Sequence, residues 1–183
     1  MTFAFAVVFL DVALDGSQPK VLDYQSFLNV SDDFDLVPSA YTDGLLYVKF
    51  REEGKNLNPF HMLRLLLYDN NGDTSFYMPS FSLIEIIVYD KDNFYLMETM
   101  YHEIGHHLWY DKITKEEKEW FIEMYERDLV NGDLISEYSK TDVKEGFADE
   151  FSQYHVRTQY KDNLNLEQED YFNNVTRRIR GLT

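Results

Sequence analysis

Cysteine is absent from this 183-residue chain, so there is neither a disulfide framework nor a thiolate to bind a metal, and any metal ligands must be imidazoles and carboxylates. Basic residues are scarce: 17 Lys and Arg stand against 33 Asp and Glu, for a formal net charge of −16 and a pI near 4.5. Nucleic acid and anionic membrane are not expected as partners, because neutralising phosphate takes clustered Lys and Arg. A basic segment of a peptide or protein would be favoured. Long apolar runs are also missing. Phe3 to Leu10 is apolar throughout, but it is too short to span a bilayer and reads as a buried strand. No Lys or Arg precedes Lys20, so the basic start of a signal peptide is lacking. A cytoplasmic protein is expected, or a secreted one if the chain is a mature form. Neither a repeat nor a low-complexity tract interrupts the sequence.

The length fits one domain, residues 1–183, with a sizeable core. Residues 1–90 are strand-rich and residues 91–183 helical, which predicts an α+β domain with helices on one side of a small sheet. Strands are expected at Phe3 to Val12 and at Leu45 to Phe50, the second entered through the turn Thr42-Asp43-Gly44. Ser31 to Ala40 is acidic and reads as a loop. Pro59 to Tyr68 reads as a short helix stopped by Asn71-Gly72. Asp69 to Asp73 is a turn and not a calcium loop, since its glycine is out of place and no glutamate stands at the twelfth position. Phe76 to Tyr89 favours β structure, most clearly over Leu83 to Tyr89. From Asp92 to Trp109 the apolar residues Phe94, Met97, Tyr101, Ile104 and Leu108 recur at three and four, the helical period. Thr114-Lys115-Glu116-Glu117 is a capping box opening a helix to about Leu129, and two more helices follow near Asp142 to Tyr160 and Glu167 to Ile179.

Within the first of these helices lies His102-Glu103-Ile104-Gly105-His106. Residues four apart share a helical face, so His102 and His106 can aim ring nitrogens at one cation. Glu103 sits about 100° round the helix from His102, beside such a cation and not on it, where it can act as general base. Composition alone would produce this pattern in roughly 1% of such chains. The alternative use of Glu103-x-x-His106 in a di-iron bundle needs a second Glu-x-x-His on a facing helix, and no other Glu here has a His three residues later.

Two histidines do not complete a zinc site, so a third ligand must come from a neighbouring helix. Glu145-Gly146-Phe147-Ala148-Asp149 supplies candidates: Glu145 and Asp149 share a face, so one carboxylate could ligate while the other orients a histidine through its second ring nitrogen. Gly146 and Ala148 are small and would let this helix approach the first closely. Tyr138 could donate its hydroxyl to the negative charge that grows on a peptide carbonyl under attack. Histidines 61, 107 and 155 are expected at the surface or in the core, outside the site. Glu98, one turn before His102, is read as facing solvent.

The helix motif with a downstream Glu-x-Phe-Ala-Asp resembles the gluzincin metallopeptidases, especially the anthrax lethal factor catalytic domain and the bacterial Pro-Pro endopeptidases, over about Asp92 to Tyr160. In that group a tyrosine precedes the third ligand by seven residues, as Tyr138 precedes Glu145. The resemblance implies a zincin-like fold and a zinc-dependent endopeptidase holding one Zn2+ per chain. By it His102, His106 and Glu145 would bind zinc, Glu103 would be the base, Tyr138 would stabilise the oxyanion and Asp149 would support a ligand histidine. It also implies a peptide substrate bound as an extended strand at a sheet edge, for which Phe76 to Tyr89 is the candidate. Two rival readings are a cytosolic protease similar to the anti-repressor family and a non-catalytic binding module on a zincin-like fold. The intact Glu103 argues against the second.

Overall fold

The computed structural model describes residues 37–45, 47–52, 75–88, 93–157 and 162–182. The strand expected at Phe3 to Val12, the helix at Pro59 to Tyr68, the turn at Asp69 to Asp73 and His61 lie outside the described residues, as does most of the loop expected at Ser31 to Ala40. Where that loop ends, a single helical turn, α1 (Ser39–Thr42), buries Tyr41 completely. The turn after it closes with Leu45 N–H donating to Thr42 O at 3.0 Å, and Gly44 takes φ +94°, a conformation that favours glycine. Strand β1 (Tyr47–Glu52) follows, two residues later than the sequence pattern suggests.

The β-favouring segment divides in two. Strand β2 (Phe76–Met78) and strand β3 (Leu83–Val88) are joined by a 3-10 turn, Pro79–Phe81, which ends on Ser82 at φ +44°. The sheet order is β1-β3-β2, with β1 parallel and β2 antiparallel to β3. Leu83 to Ile86 are all at most 3% exposed, as a strand covered on both faces requires. Because β3 is paired on both sides, the expected edge is corrected: only Phe76–Met78 of that segment is outermost among the described residues.

Four further helices make up the rest of the mixed α+β fold among the described residues: α2 (Asn93–Asp111), α3 (Lys115–Asn131), α4 (Val143–Val156) and α5 (Leu166–Ile179). Each of the last three begins at a side-chain cap. Thr114 and Glu117 form the expected reciprocal box, Asp142 accepts from Lys144 N–H, and Asn165 accepts from the N–H groups of Glu167 and Gln168. None of the helices among the described residues is long and apolar enough to cross a membrane.

Helix α2 lies against β2, β3 and the whole flank of α4. The core between the helices is aromatic: Phe147 meets Phe121 edge to face at 5.2 Å, and Trp109 and Phe172 at 5.2 and 5.4 Å, geometries that ring quadrupoles favour. On α4 the pair Phe147 and Phe151 fills this core, and the pair Glu145 and Asp149, two residues out of phase, is turned towards α2.

The small residues of α4 do different jobs. Ala148 lies against Gly105 of α2, where an added Cβ would stand 2.8 Å from the Ala148 Cα. Gly146 instead meets the Tyr125 ring of α3, 2.5 Å from where its Cβ would be. Hence Ala148 serves the approach to α2, as expected, while Gly146 serves the approach to α3.

Glu150 is wholly buried on α4, and neither of its oxygens makes a hydrogen bond of normal geometry. Burial, with the nearby charges of Asp128 and Asp149, pushes its carboxyl well above the usual range.

Candidate metal centre

Helical spacing brings His102 and His106 onto one face of α2, and the contact of Gly105 with Ala148 carries the first turn of α4 up to that face. Glu145 stands in that turn. Three atoms converge: His102 Nε2, His106 Nε2 and Glu145 Oε2 are each 3.2 Å from the other two. Such a triangle is one face of a tetrahedron whose centre lies about 2.0 Å from every corner, a metal-to-donor distance. The group could therefore hold a metal ion. Its side chains are 13%, 13% and 27% exposed, which leaves the centre open on one side.

Around the triangle each neighbour fixes something. His102 Nδ1 lies 3.2 Å from Asp149 Oδ1. A proton held there leaves the Nε2 lone pair facing the centre. Burial alone would lower the His102 pKa, but Asp149 and Glu145 outweigh it and raise it to about 9. For Glu145, burial pushes upward and the two histidines win, holding the carboxyl well below the usual carboxylate range. Of the two carboxylates left open by helical spacing, Glu145 meets both Nε2 atoms and Asp149 meets Nδ1.

Asp149 is itself held. Ser136 Oγ donates to Asp149 Oδ2, and Ser136 also shares a reciprocal turn with Ser139: Ser139 N–H donates to Ser136 Oγ, and Ser136 N–H donates to Ser139 Oγ. Tyr138 rides on this turn, its carbonyl accepting from Thr141 Oγ1 at 2.8 Å. The Tyr138 ring lies 5.8 Å from the His102 ring and is 55% exposed. Desolvation of the hydroxyl, then the charge of Glu145 and a hydrogen bond to it, push the phenol pKa up. Glu103 is 4% exposed, and its charge acts on both His102 and Tyr138. All six residues singled out in the sequence are thus brought together.

No protein-family model, no curated protein and no solved structure matches this chain. The assignment of its chemistry rests on the residues themselves.

Of the other two histidines among the described residues, His107 is a core residue and His155 is half-buried. His107 is wholly buried, with Nδ1 2.9 Å from Asp111 Oδ2 and 3.2 Å from Tyr77 Oη, and Nε2 3.2 Å from Asp43 O. Burial holds its pKa down. It joins the turn before β1 and strand β2 to the metal-site helix. His155 stacks on Tyr101 at 4.4 Å. Glu98 is half-buried, and its carbonyl accepts from Ser152 Oγ at 2.8 Å. Sequence reasoning missed Ser136 and Gly105. The only local signal for Ser136 is the Ser-x-x-Ser spacing of a side-chain-closed turn.

Proposed function

We propose that this chain is a zinc-dependent endopeptidase. The observation that carries the reading is the 3.2 Å triangle of His102, His106 and Glu145 with the buried Glu103 beside it. Two imidazoles and one carboxylate, without thiolates, in a tetrahedral set of three with one open corner, are the donor set of catalytic zinc. When bound, zinc would lower the pKa of water to about 7 and polarise a substrate carbonyl.

The chain's own residues do the rest. Glu103 takes the proton of the attacking water and returns it to the leaving amine. Tyr138 keeps its proton at neutral pH and offers it to the oxygen on which charge grows, an interaction stronger in the transition state than in the ground state. Asp149, held by Ser136, fixes the tautomer and ring orientation of His102. An extended substrate would pair its main chain with β2, the outermost strand described on the α2 side of β3, and the acidic surface would favour basic segments.

Incubating the zinc-loaded protein with a diverse peptide library and reading cleavage by mass spectrometry tests this. Cleavage by wild type, reduced by at least about 10²-fold in Glu103→Gln with zinc retained, is the expected result. Equal rates in the two proteins would remove Glu103 as base. Stoichiometric zinc with no cleavage of any peptide would leave a binding module.

A further inference from the structure

The pairing of α2 with α4 continues past the metal group. Ser152 Oγ donates to the Glu98 carbonyl, Gly105 lies against Ala148 and Glu145 meets His106, so the two helices run antiparallel and the next step brings Tyr110 beside Lys144. Tyr110 follows His106 by four residues, on the same face of α2 and about 6 Å further along it. Lys144 directly precedes Glu145. Its ammonium lies 5.6 Å from the centre of the Tyr110 ring, and an interaction with the Tyr110 hydroxyl comes first among the influences that raise its pKa. The Tyr110 ring in turn lies 6.0 Å from that of Tyr77 on β2. A wall therefore runs from β2 through Tyr110 to Lys144 at the His106 end of the triangle, while Tyr138 stands by His102.

Lys144 is out of keeping with its surroundings. The first turn of a helix favours carboxylates over cations, yet an ammonium occupies the second residue of α4, in a chain with 33 acidic residues against 17 basic ones. The nearest lysines in sequence on either side of the cleft are engaged in ion pairs: Lys140 with Glu137, and Lys112 with Asp43. Lys144 makes no ion pair among the described residues, and the neighbouring Glu145 is turned to the two imidazoles. Lys144 is half-buried and Tyr110 is 43% exposed, so N–H and O–H donors face the rim together.

We propose that Lys144 and Tyr110 determine specificity, receiving a substrate carboxylate one or two residues from the scissile bond. The inference rests on the peptidase reading given above. An extended chain advances about 3.3 Å per residue, so the distance of about 6 Å from His106 to Tyr110 matches about two residues of a substrate running along β2. Ammonium and phenol both donate to a carboxylate, and the ammonium disfavours Lys or Arg at the same position. The acidic surface draws basic segments from a distance, and Lys144 selects among them those with a carboxylate beside the cleaved bond.

The probes are synthetic peptides built on a sequence that the zinc-loaded full chain cleaves, with Asp, Asn or Lys at each position flanking the bond, in free and C-terminally amidated forms. The quantity read is the ratio of kcat/KM for Asp over Asn at one position, in which differences in folding or zinc content between protein preparations cancel. Wild type should prefer Asp at least about fivefold at one position and discriminate against Lys there. In Lys144→Gln that preference should vanish, in Lys144→Glu it should turn to Lys, and in Tyr110→Phe it should fall in part. A preference that survives amidation assigns the carboxylate to an Asp or Glu side chain, and a preference for the free C-terminus alone assigns it to the end of the substrate. The proposal is overturned if wild type shows no acidic preference at any position or if Lys144→Gln keeps the wild-type ratio, and in both cases the peptidase reading stands. Zinc-loaded wild type that cleaves no peptide overturns that reading and this proposal with it.

Discussion

Gly105 and Ala148 are in backbone contact where α2 crosses α4, and this contact sets how far Glu145 stands from the two histidines. A methyl group on Gly105 would meet the Ala148 Cα at 2.8 Å, and backbone cannot move aside as a flexible side chain can. Alanine is the better helix former by about 1 kcal/mol, yet overpacking costs about 1–3 kcal/mol. Gly105→Ala should therefore be destabilised by about 1 kcal/mol in urea unfolding. Its zinc affinity should fall about tenfold or more as the donor triangle opens. Unchanged affinity would show that the helix contact does not set the site.

Glu145→Ala removes one corner of the triangle and leaves two imidazoles. Wild type is expected to bind about one zinc per chain, and the variant to lose stoichiometric binding in equilibrium dialysis. Full occupancy in Glu145→Ala would mean that another carboxylate serves as the third ligand.

Tyr138→Phe keeps the ring and removes the hydroxyl. With more than half of the residue exposed, the melting temperature should scarcely change. An oxyanion role predicts a fall in kcat of about 10–10³-fold with KM nearly constant. Normal kcat in the zinc-loaded variant would reject that role.

Glu150 gives the stability of the fold a pH dependence of known sign. In the unfolded chain it ionises near the ordinary glutamate pKa of about 4.3, whereas in the folded chain burial holds it protonated to higher pH. Between those two values the unfolded state binds fewer protons than the folded state once matched group for group at this site, so this residue's contribution is full below the lower value and declines as pH rises. Glu150→Gln, a neutral mimic of the protonated form, should melt several degrees higher than wild type at pH 8 and about equally at pH 4. Thermal melts at the two pH values decide it: a variant less stable than wild type at pH 8 would show that the carboxylate is ionised and satisfied.

Much of the site was legible because helical periodicity is local information. The spacing of His102 and His106 and the pairing of Glu145 with Asp149 follow from 3.6 residues per turn, and the capping box at Thr114 announces its helix. Which of Glu145 and Asp149 meets Nε2 depends on how α4 is placed against α2, and no residue pattern within α4 contains that distance. Ser136 escaped notice for the same reason, since its partner is 13 residues away on another element. The β-favouring residues of Phe76 to Tyr89 mark β structure but do not say which strands flank it, and β3 is paired on both sides. For His107 the sequence left surface and core both open, and contacts from Asp43, Tyr77 and Asp111 make it a satisfied core residue.

Ser136 also joins two parts of the molecule, the turn that carries Tyr138 and helix α4. One hydroxyl closes the turn on which Tyr138 rides and simultaneously grips the carboxylate that steers His102. A displacement of the turn that carries the exposed phenol would therefore reach His102 through two successive contacts, Ser136 to Asp149 and Asp149 to His102 Nδ1.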